Sequence, residues 1–176
     1  MKRVLQEEHN GTVILVKQSK DIQNVDGLII PGGESTTIAR ILHSSGMYRT
    51  IKQRMAHQDI ALMGTCAGCV LLAKELYDIK PEIPLLQAMD MQVARNAFGR
   101  QLHSHERDVV IKGFTSPFHA VFIRAPEIKK IWGSCEVLAT VEQKIVMARQ
   151  NRYLALSFHP ELTDDLRIHH SFFEML

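Results

Sequence analysis

One cysteine of the chain lies in a short turn that could hold a reactive thiol. Residues 60–63 form an apolar run typical of a strand, the next five residues read Gly-Thr-Cys-Ala-Gly, and a helical pattern follows. Gly64 and Gly68 would let the strand and the helix approach across a sharp turn, which is the pattern of a nucleophile elbow. The thiol of Cys66 would then stand at a helix N-terminus, where N–H groups and the helix dipole favour the thiolate. The turn therefore makes Cys66 a candidate nucleophile.

Other roles of this cysteine stay open from the residues alone. A cysteine between a strand and a helix is usually a buried packing residue. Cys66 and Cys69 have the spacing of thioredoxin-type redox pairs, which occur in the same strand–helix context. A zinc site is not expected, because no second cysteine pair supplies the remaining ligands. We interpret Cys69 and Cys135 as packing thiols.

A histidine and a glutamate follow the last apolar run of the chain, where residues 157–161 read Ser-Phe-His-Pro-Glu. In an extended chain, residues two apart point to one side, so His159 and Glu161 can pair. The carboxylate would orient the imidazole through one nitrogen and leave the other nitrogen free as a base toward a thiol, as in a nucleophile–base–carboxylate triad. Solvent-facing positions are expected for His103, His105, His169 and His170.

A third segment with consecutive glycines follows another predicted strand. Residues 31–35 read Pro-Gly-Gly-Glu-Ser. Adjacent glycines free the backbone to point N–H groups at an oxyanion, although Pro-Gly-Gly is also a common turn. The segment matches neither phosphate-loop pattern, G-x-x-x-x-G-K-[ST] or G-x-G-x-x-G. It is a candidate oxyanion-binding loop.

The elements that must position these segments alternate between short apolar runs and helical patterns, which predicts an α/β fold. We expect a mostly parallel sheet with helices on both faces. Such sheets hold their sites at the carboxyl ends of strands, and all three candidate segments follow strands. The predicted strands are 12–16, 27–30, 60–63, 89–94, 108–112, 120–123, 135–141, 145–148 and 153–158. The predicted helices are 2–8, one capped by Ser35 or Thr36, 47–57, one carrying Val70 to Leu76, and one that starts near Thr163.

Length and composition fit one domain that spans residues 1–176. A formal net charge of +2, with no block of like charge, indicates neither a nucleic acid nor an anionic membrane as partner. No apolar run approaches the roughly 18 residues of a membrane span, and residues 1–10 do not resemble a signal peptide. Three cysteines, an odd number, favour reduced thiols and a cytoplasmic location.

Taken together, the three segments resemble the motifs of class I (triad) glutamine amidotransferases. Gly-Gly-Glu-Ser-Thr-Thr at 32–37, Gly-Thr-Cys-Ala-Gly at 64–68 and Phe-His-Pro-Glu-Leu-Thr at 158–163 stand in that family's order. Within the class, the chain is similar to the SNO family, the glutaminase subunits of pyridoxal 5'-phosphate synthase. Two further segments support this narrower resemblance, Ala-Arg-Asn-Ala-Phe-Gly-Arg-Gln at 94–101 and Val-Phe-Ile-Arg-Ala-Pro at 121–126.

The resemblance implies a role for each matching position, on a flavodoxin-like, three-layer α/β fold. Cys66 would be the nucleophile, His159 its base, and Glu161 the carboxylate that orients the base. The N–H groups of Gly33 and Ala67 would bind the oxyanion. The positions implied in binding L-glutamine are Gly33, Glu34, Ser35, Arg95, Ile123 and Arg124.

The resemblance also implies the reaction and a partner. The chain would hydrolyse L-glutamine to L-glutamate and ammonia through a Cys66 thioester, and would supply the ammonia to a synthase subunit that makes pyridoxal 5'-phosphate (vitamin B6). The glutaminase half would need no metal and no bound cofactor. The alternatives are the glutaminase of another biosynthetic amidotransferase, for imidazole glycerol phosphate or guanylate, and a non-catalytic regulatory subunit.

The start of the sequence departs from the family pattern. The family begins with a strand and loop resembling Gly-Val-Leu-x-Leu-Gln-Gly, and no such segment precedes the helix predicted at 2–8. That strand would be a central one, buried on both faces. We therefore expect a sheet without its first strand, and weaker folding stability and docking to the synthase.

Overall fold

The computed structural model of the chain describes residues 11–77, 83–95 and 104–176. The strands in these residues are β1 Gly27–Ile30, β2 Ala61–Thr65, β3 Ala73–Leu76, β4 Met89–Ala94, β5 Ser104–Val109, β6 Phe118–Ile123, β7 Glu127–Ile131, β8 Glu136–Val141, β9 Lys144–Gln150 and β10 Tyr153–Leu156. The helices are α1 Ser35–Ser44, α2 Met47–Ala56, α3 Ala67–Leu72 and α4 Arg167–Phe173, and two 3-10 turns cover Ser19–Ile22 and Pro160–Leu162.

Eight strands form one sheet in the order β1-β2-β10-β9-β7-β4-β3, with β8 paired to β9, and β5 and β6 form a separate hairpin. Strands β1, β2 and β10 run parallel, as do β3 and β4. The pairings of β9 and β7 are antiparallel. Tight turns at residues 142–143 and 151–152 return the chain from β8 to β9 and from β9 to β10. The predicted α/β class is confirmed, with a mixed sheet that is parallel where the candidate segments leave it.

The sheet carries a hydrophobic core on each face. Along β2, Leu62 packs in a cluster with side chains of α1, α2 and α3, whereas Ala61 and Met63 belong to a second cluster with β6 and α4. This alternation follows from the two-residue period of a strand. Helices therefore cover both faces of the sheet, as predicted.

The carboxyl ends of β1, β2 and β10 lie side by side. Ile30 is paired with Gly64, and Leu156 with Thr65. The next residues of each strand leave the sheet at the same edge, which brings the glycine loop, the cysteine turn and the histidine segment together. The three parallel strands thus position the site.

The strand predicted at 12–16 is wrong. This segment has no regular secondary structure, and Ile14 and Leu15 expose 48% and 80% of their surface. Within the described residues, β1 pairs only with β2, so the segment 12–16 has not added to the free edge of β1. A β-branched composition favours a strand only where a neighbouring strand accepts its hydrogen bonds. No strand precedes β1 in the chain from residue 11 onward, and the predicted helix 2–8 lies outside the described residues.

Other boundaries also differ from prediction. Helix α3 ends at Leu72 because Ala73 turns to an extended backbone and pairs with Met89, so Leu76 lies in a strand instead of a helix. Strand β7 was not predicted, and β5 ends where a strand over 108–112 was expected to begin. The last helix begins at Arg167 and not near Thr163, so Asp165 lies before the helix.

None of the helices in the described ranges has the length and apolarity needed to cross a bilayer.

Candidate active site

Cys66 occupies a strained turn between β2 and α3. Its backbone has φ 49° and ψ −104°, in the left-handed half of conformational space that few non-glycine residues adopt. Its N–H donates to the carbonyl oxygen of Leu156 at 2.8 Å, which ties the turn to β10. The residue is 8% exposed. This is the elbow that the sequence predicts, with the thiol at the junction of strand and helix.

Two glycines make the elbow possible because no side chain fits at either position. A Cβ atom on Gly64 would lie 2.5 Å from the carbonyl carbon and oxygen of Gly68. A Cβ atom on Gly68 would lie 2.0 Å from the carbonyl oxygen of Ile30. Both contacts are with backbone, which cannot move aside, so α3 can pack against β1 and β2 only with glycine at both places.

His159 and Glu161 form a hydrogen-bonded pair beside this elbow. The distance between His159 Nδ1 and Glu161 Oε1 is 2.8 Å, and the backbone N–H of His159 donates to the carbonyl oxygen of Val121 at 2.9 Å. The side chain of His159 is 12% exposed and that of Glu161 is 42% exposed. The predicted pairing of residues two apart is therefore present in the structure.

The electrostatics of the pair favour a charged imidazole. The thiol of Cys66 first, and then the carboxylate of Glu161, raise the pKa of His159 to about 9. Burial raises the pKa of Glu161, but the hydrogen bond from His159, a backbone hydrogen bond and the nearby positive charge of His159 together outweigh it and leave that pKa below its usual value. At neutral pH, the imidazolium form of His159 is therefore favoured beside the sulfur of Cys66 and the carboxylate of Glu161.

The second ring nitrogen of His159 faces the site. Nε2 is buried and has no hydrogen-bond partner among the described residues, although the thiol of Cys66 is close enough to affect the ring's pKa. The Sγ atom of Cys66 instead donates to the carbonyl oxygen of Ile123 at 3.7 Å. Catalytic hydrogen bonds are often loose without substrate and tighten when it binds. The orientation of the thiol toward Ile123 is therefore compatible with a catalytic pair of Cys66 and His159.

The glycine loop lies between β1 and α1. Gly33 has φ 143°, a conformation that strongly favours glycine. Ala67 is the first residue of α3, so its N–H has no partner within the helix. The two N–H groups predicted to bind the oxyanion thus lie just after β1 and β2, at the same edge of the sheet.

Glu34 caps α1, where the sequence had suggested Ser35 or Thr36. Its carboxylate accepts hydrogen bonds from the N–H of Thr36 at 3.0 Å and from the N–H and Oγ1 of Thr37 at 2.6 and 2.7 Å. The Thr37 hydroxyl and these N–H groups lower the pKa of Glu34 to about 2. Ser35 is buried as the first residue of the helix. The Glu34 carboxylate thus binds the N–H groups two and three residues ahead, which are the groups that an N-cap side chain satisfies.

The remaining predicted positions lie around the strand ends. Ile123 contributes its carbonyl oxygen to the thiol, and Arg124 is exposed and has φ 45°. Arg95 follows β4 and is the last residue before the segment 96–103, so most of the motif at 94–101 lies outside the described residues. The structure brings Cys66 into contact with Ile123 and places His159 close enough to Cys66 for the thiol to affect the pKa of the imidazole.

Sequence reasoning missed the burial of His169. This residue is 6% exposed on α4, and its Nδ1 atom is buried without a hydrogen-bond partner in the described part of the chain. Burial lowers its pKa to about 4. The apolar neighbours Ile168 and Phe172 on the same helix were a signal that this side faces the core. His105 is also not fully solvated, since its ring stacks on Phe122 with centroids 4.7 Å apart.

The described residues hold no group of three or more histidine, cysteine, aspartate or glutamate side chains that could bind a metal ion. All three cysteines are buried free thiols. Burial raises the pKa of Cys69 strongly and that of Cys135 to about 11, so neither is a ready nucleophile. Cys66 is the thiol that stands beside a base.

Comparison with known proteins adds a family and close relatives. The model of the SNO glutamine amidotransferase family matches residues 1–176. The pyridoxal 5'-phosphate synthase subunit PdxT of Actinobacillus pleuropneumoniae serotype 3 is 48% identical over 163 residues, which cover 93% of this chain and 82% of the relative. The PdxT subunit of Thermosipho africanus is 42% identical over 174 residues, with 99% and 91% covered. A crystal structure of a glutamine amidotransferase superposes with a TM-score of 0.91 at 41% identity and covers 99% of this chain and 90% of that one.

Proposed function

Since the chain belongs to the SNO glutamine amidotransferase family, we propose that it is the glutaminase subunit of a pyridoxal 5'-phosphate synthase. It hydrolyses L-glutamine to L-glutamate and ammonia, and a synthase subunit uses the ammonia. The observation that carries the proposal is the strained Cys66 elbow beside the hydrogen-bonded His159–Glu161 pair. Relatives that are 42–48% identical bear the name of this synthase, which favours it over other biosynthetic amidotransferases.

In the first half of the reaction, Cys66 forms a thioester with the substrate. His159 holds the proton of the Cys66 thiol as an imidazolium, so the attacking group is the thiolate. Its Sγ atom bonds to the side-chain amide carbon of glutamine, and the carbonyl oxygen becomes an oxyanion. The N–H groups of Gly33 and Ala67 bind that oxyanion, and each such donor typically contributes about 3–4 kcal/mol to lowering the barrier. The carbon–nitrogen bond then breaks, and the His159 imidazolium gives its proton to the departing ammonia.

In the second half, water releases the product. His159 is now neutral and takes a proton from a water molecule as that water attacks the thioester carbonyl. The carbon–sulfur bond breaks, glutamate leaves, and the proton on His159 pairs again with the thiolate of Cys66. Glu161 holds Nδ1 of the ring throughout, so that Nε2 serves both steps.

Substrate recognition is assigned to charged and polar groups around the elbow. Glutamine carries an α-carboxylate and an α-ammonium, which call for a cation and an anion in the protein. Arg95 and Arg124 are the candidate cations. Glu34 is the candidate anion, since a carboxylate has about four acceptor positions and its cap uses three. The backbone of Ile123 and the N-terminus of α1 at Ser35 complete the proposed binding positions.

Partner and location are part of the same proposal. The relatives are named as subunits of a synthase, which supports a hetero-oligomer with a synthase subunit. The buried free thiols support a reducing compartment such as the cytoplasm.

The test compares two cysteine variants of the chain in the presence of the synthase subunit. Cys66→Ala is expected to lose glutamate production while keeping its unfolding transition, because alanine cannot form the thioester. Cys69→Ala, three residues along the same helix, is expected to keep activity because its thiol is buried and protonated. More than a tenth of wild-type activity in Cys66→Ala would overturn the proposal, and complete loss in Cys69→Ala would favour a redox pair instead.

A further inference from the structure

Gly32 has no backbone reason to be glycine. It is absent from the residues with positive φ, whereas its neighbour Gly33 has φ 143°. Its surroundings, however, leave no room for a side chain. A Cβ atom on residue 32 would lie 2.4 Å from Cε1 and 3.1 Å from Nδ1 of His159, and 3.4 Å from Cβ of Cys66. The α-carbon of Gly32 is therefore packed against the imidazole.

The imidazole of His159 cannot move far from this contact without losing its position relative to Glu161 and Cys66. Ordinary van der Waals contact for a Cβ atom is 3.4–4 Å, so a methyl group on residue 32 would displace Cε1 of His159 by about 1 Å. The same ring is held by Glu161 at 2.8 Å, and its backbone is bonded to Val121. A side-chain rotation that relieved the clash would lengthen the bond to Glu161 or turn Nε2 away from the thiol.

We propose that Gly32 is a positioning residue for His159. Because residue 32 has no side chain, the imidazole can occupy the space between Cys66 and Glu161. This inference rests on the proposed function. It separates two glycines that the motif presents as a pair: Gly33 is needed for its backbone conformation, and Gly32 is needed for the volume it leaves free.

The clash involves the end of a side chain and not the backbone, and this sets the expected outcome of Gly32→Ala. The imidazole can rotate away without disturbing a strand, so the fold should survive. The catalytic rate should fall strongly, since a misplacement of about 1 Å can cost on the order of 100-fold in rate. We expect kcat for glutamine hydrolysis to fall by about that factor, with KM changed less than threefold and the unfolding temperature nearly unchanged.

A matched control is Gly113→Ala. A Cβ atom on Gly113 would meet nothing within 4 Å, and the residue is exposed. Its φ of 91° makes alanine strained there, so this variant measures what a destabilising methyl group does away from the site. It should lower the unfolding temperature and leave kcat unchanged, which is the reverse of the result expected for Gly32→Ala.

A double-mutant cycle separates an effect through His159 from any other. The readout is the pH dependence of alkylation of Cys66 by iodoacetamide, which reports the thiolate. In the wild-type background, Gly32→Ala should slow alkylation near pH 7, because the imidazolium no longer stands beside the thiol. In a His159→Ala background, adding Gly32→Ala should change nothing.

Two outcomes would overturn the inference. One is full activity of Gly32→Ala while Cys66→Ala is inactive, which leaves the proposed function intact. The other is equal slowing of alkylation in both backgrounds, which would place the effect on the thiol itself. Activity in Cys66→Ala would instead reject the proposed function, so the two failures are distinguishable.

Discussion

Replacing Glu161 by glutamine removes a charge while keeping an oxygen that can accept the hydrogen bond from His159. The pair is 2.8 Å apart, and the glutamate side chain is 42% exposed. Hydrogen bonds to charged groups contribute about 1.5–3 kcal/mol, and exposure to water places this one at the lower end. Since about 1.4 kcal/mol corresponds to one pKa unit, the pKa of His159 should fall by roughly one unit from its value of about 9.

The sign of the effect on activity follows from the form of His159 that acts. The imidazolium supplies the proton that ammonia needs, and it is lost as pH rises through the pKa of His159. In the wild type, kcat/KM should therefore hold up to about pH 9 and decline above it. In Glu161→Gln, the decline should begin about one pH unit lower. The shift should not extend to the ordinary value of 6.5, because the larger contribution, from Cys66, remains.

The assay is glutamate release at limiting glutamine between pH 6 and 10.5, with the synthase subunit present. NMR titration of His159 gives the same pKa independently. Glu142→Gln is a matched control, because Glu142 is 60% exposed and forms an ion pair with Arg107 at 2.8 Å away from the site. An alkaline limb that stays in place or moves upward in Glu161→Gln would refute the reasoning.

Three further predictions concern stability, each measured by urea unfolding. Glu34→Ala should lower the free energy of unfolding by about 1–2 kcal/mol through loss of the cap of α1, and an unchanged midpoint would argue against that cap. Wild-type stability should decline as pH falls from 6.5 to about 4, where the unfolded chain takes up a proton that buried His169 does not, and His169→Gln should flatten this decline. Equal slopes in both proteins would contradict it. Gly68→Ala should cost about 3 kcal/mol or more, since its Cβ would meet the Ile30 carbonyl at 2.0 Å; wild-type stability would show that α3 can shift.

The relation of Cys66 to His159 could be predicted from the sequence because it depends on a rule of sheet topology. Both residues follow short apolar runs, and parallel strands deliver the residues that follow them to one edge of the sheet. The pairs Ile30–Gly64 and Leu156–Thr65 show that the strands are in the register this requires. A motif that follows a parallel strand therefore predicts which residues from distant parts of the chain will lie beside it.

Elements that depend on a partner could not be predicted in the same way. The segment 12–16 has strand composition but no neighbour in the described sheet, and β3 has a helical pattern but pairs with β4. His169 looks like a surface residue in the sequence, and only the packing of Ile168 and Phe172 turns its helix inward. In each case, a contact distant in sequence overrides the local preference.

The glycines of the site show why local pattern reading also misjudges residues that it correctly singles out. Consecutive glycines suggest a flexible loop, yet Gly32, Gly64 and Gly68 each lie where a Cβ atom would collide with a group from another segment. Of the glycines at these turns, Gly33 has the left-handed φ. A glycine that makes space constrains the site, since it fixes how closely two segments meet. The reactivity of Cys66 therefore depends on the lack of side chains at these glycines. Without side chains there, α3, β2 and the imidazole of His159 can all lie close to the thiol.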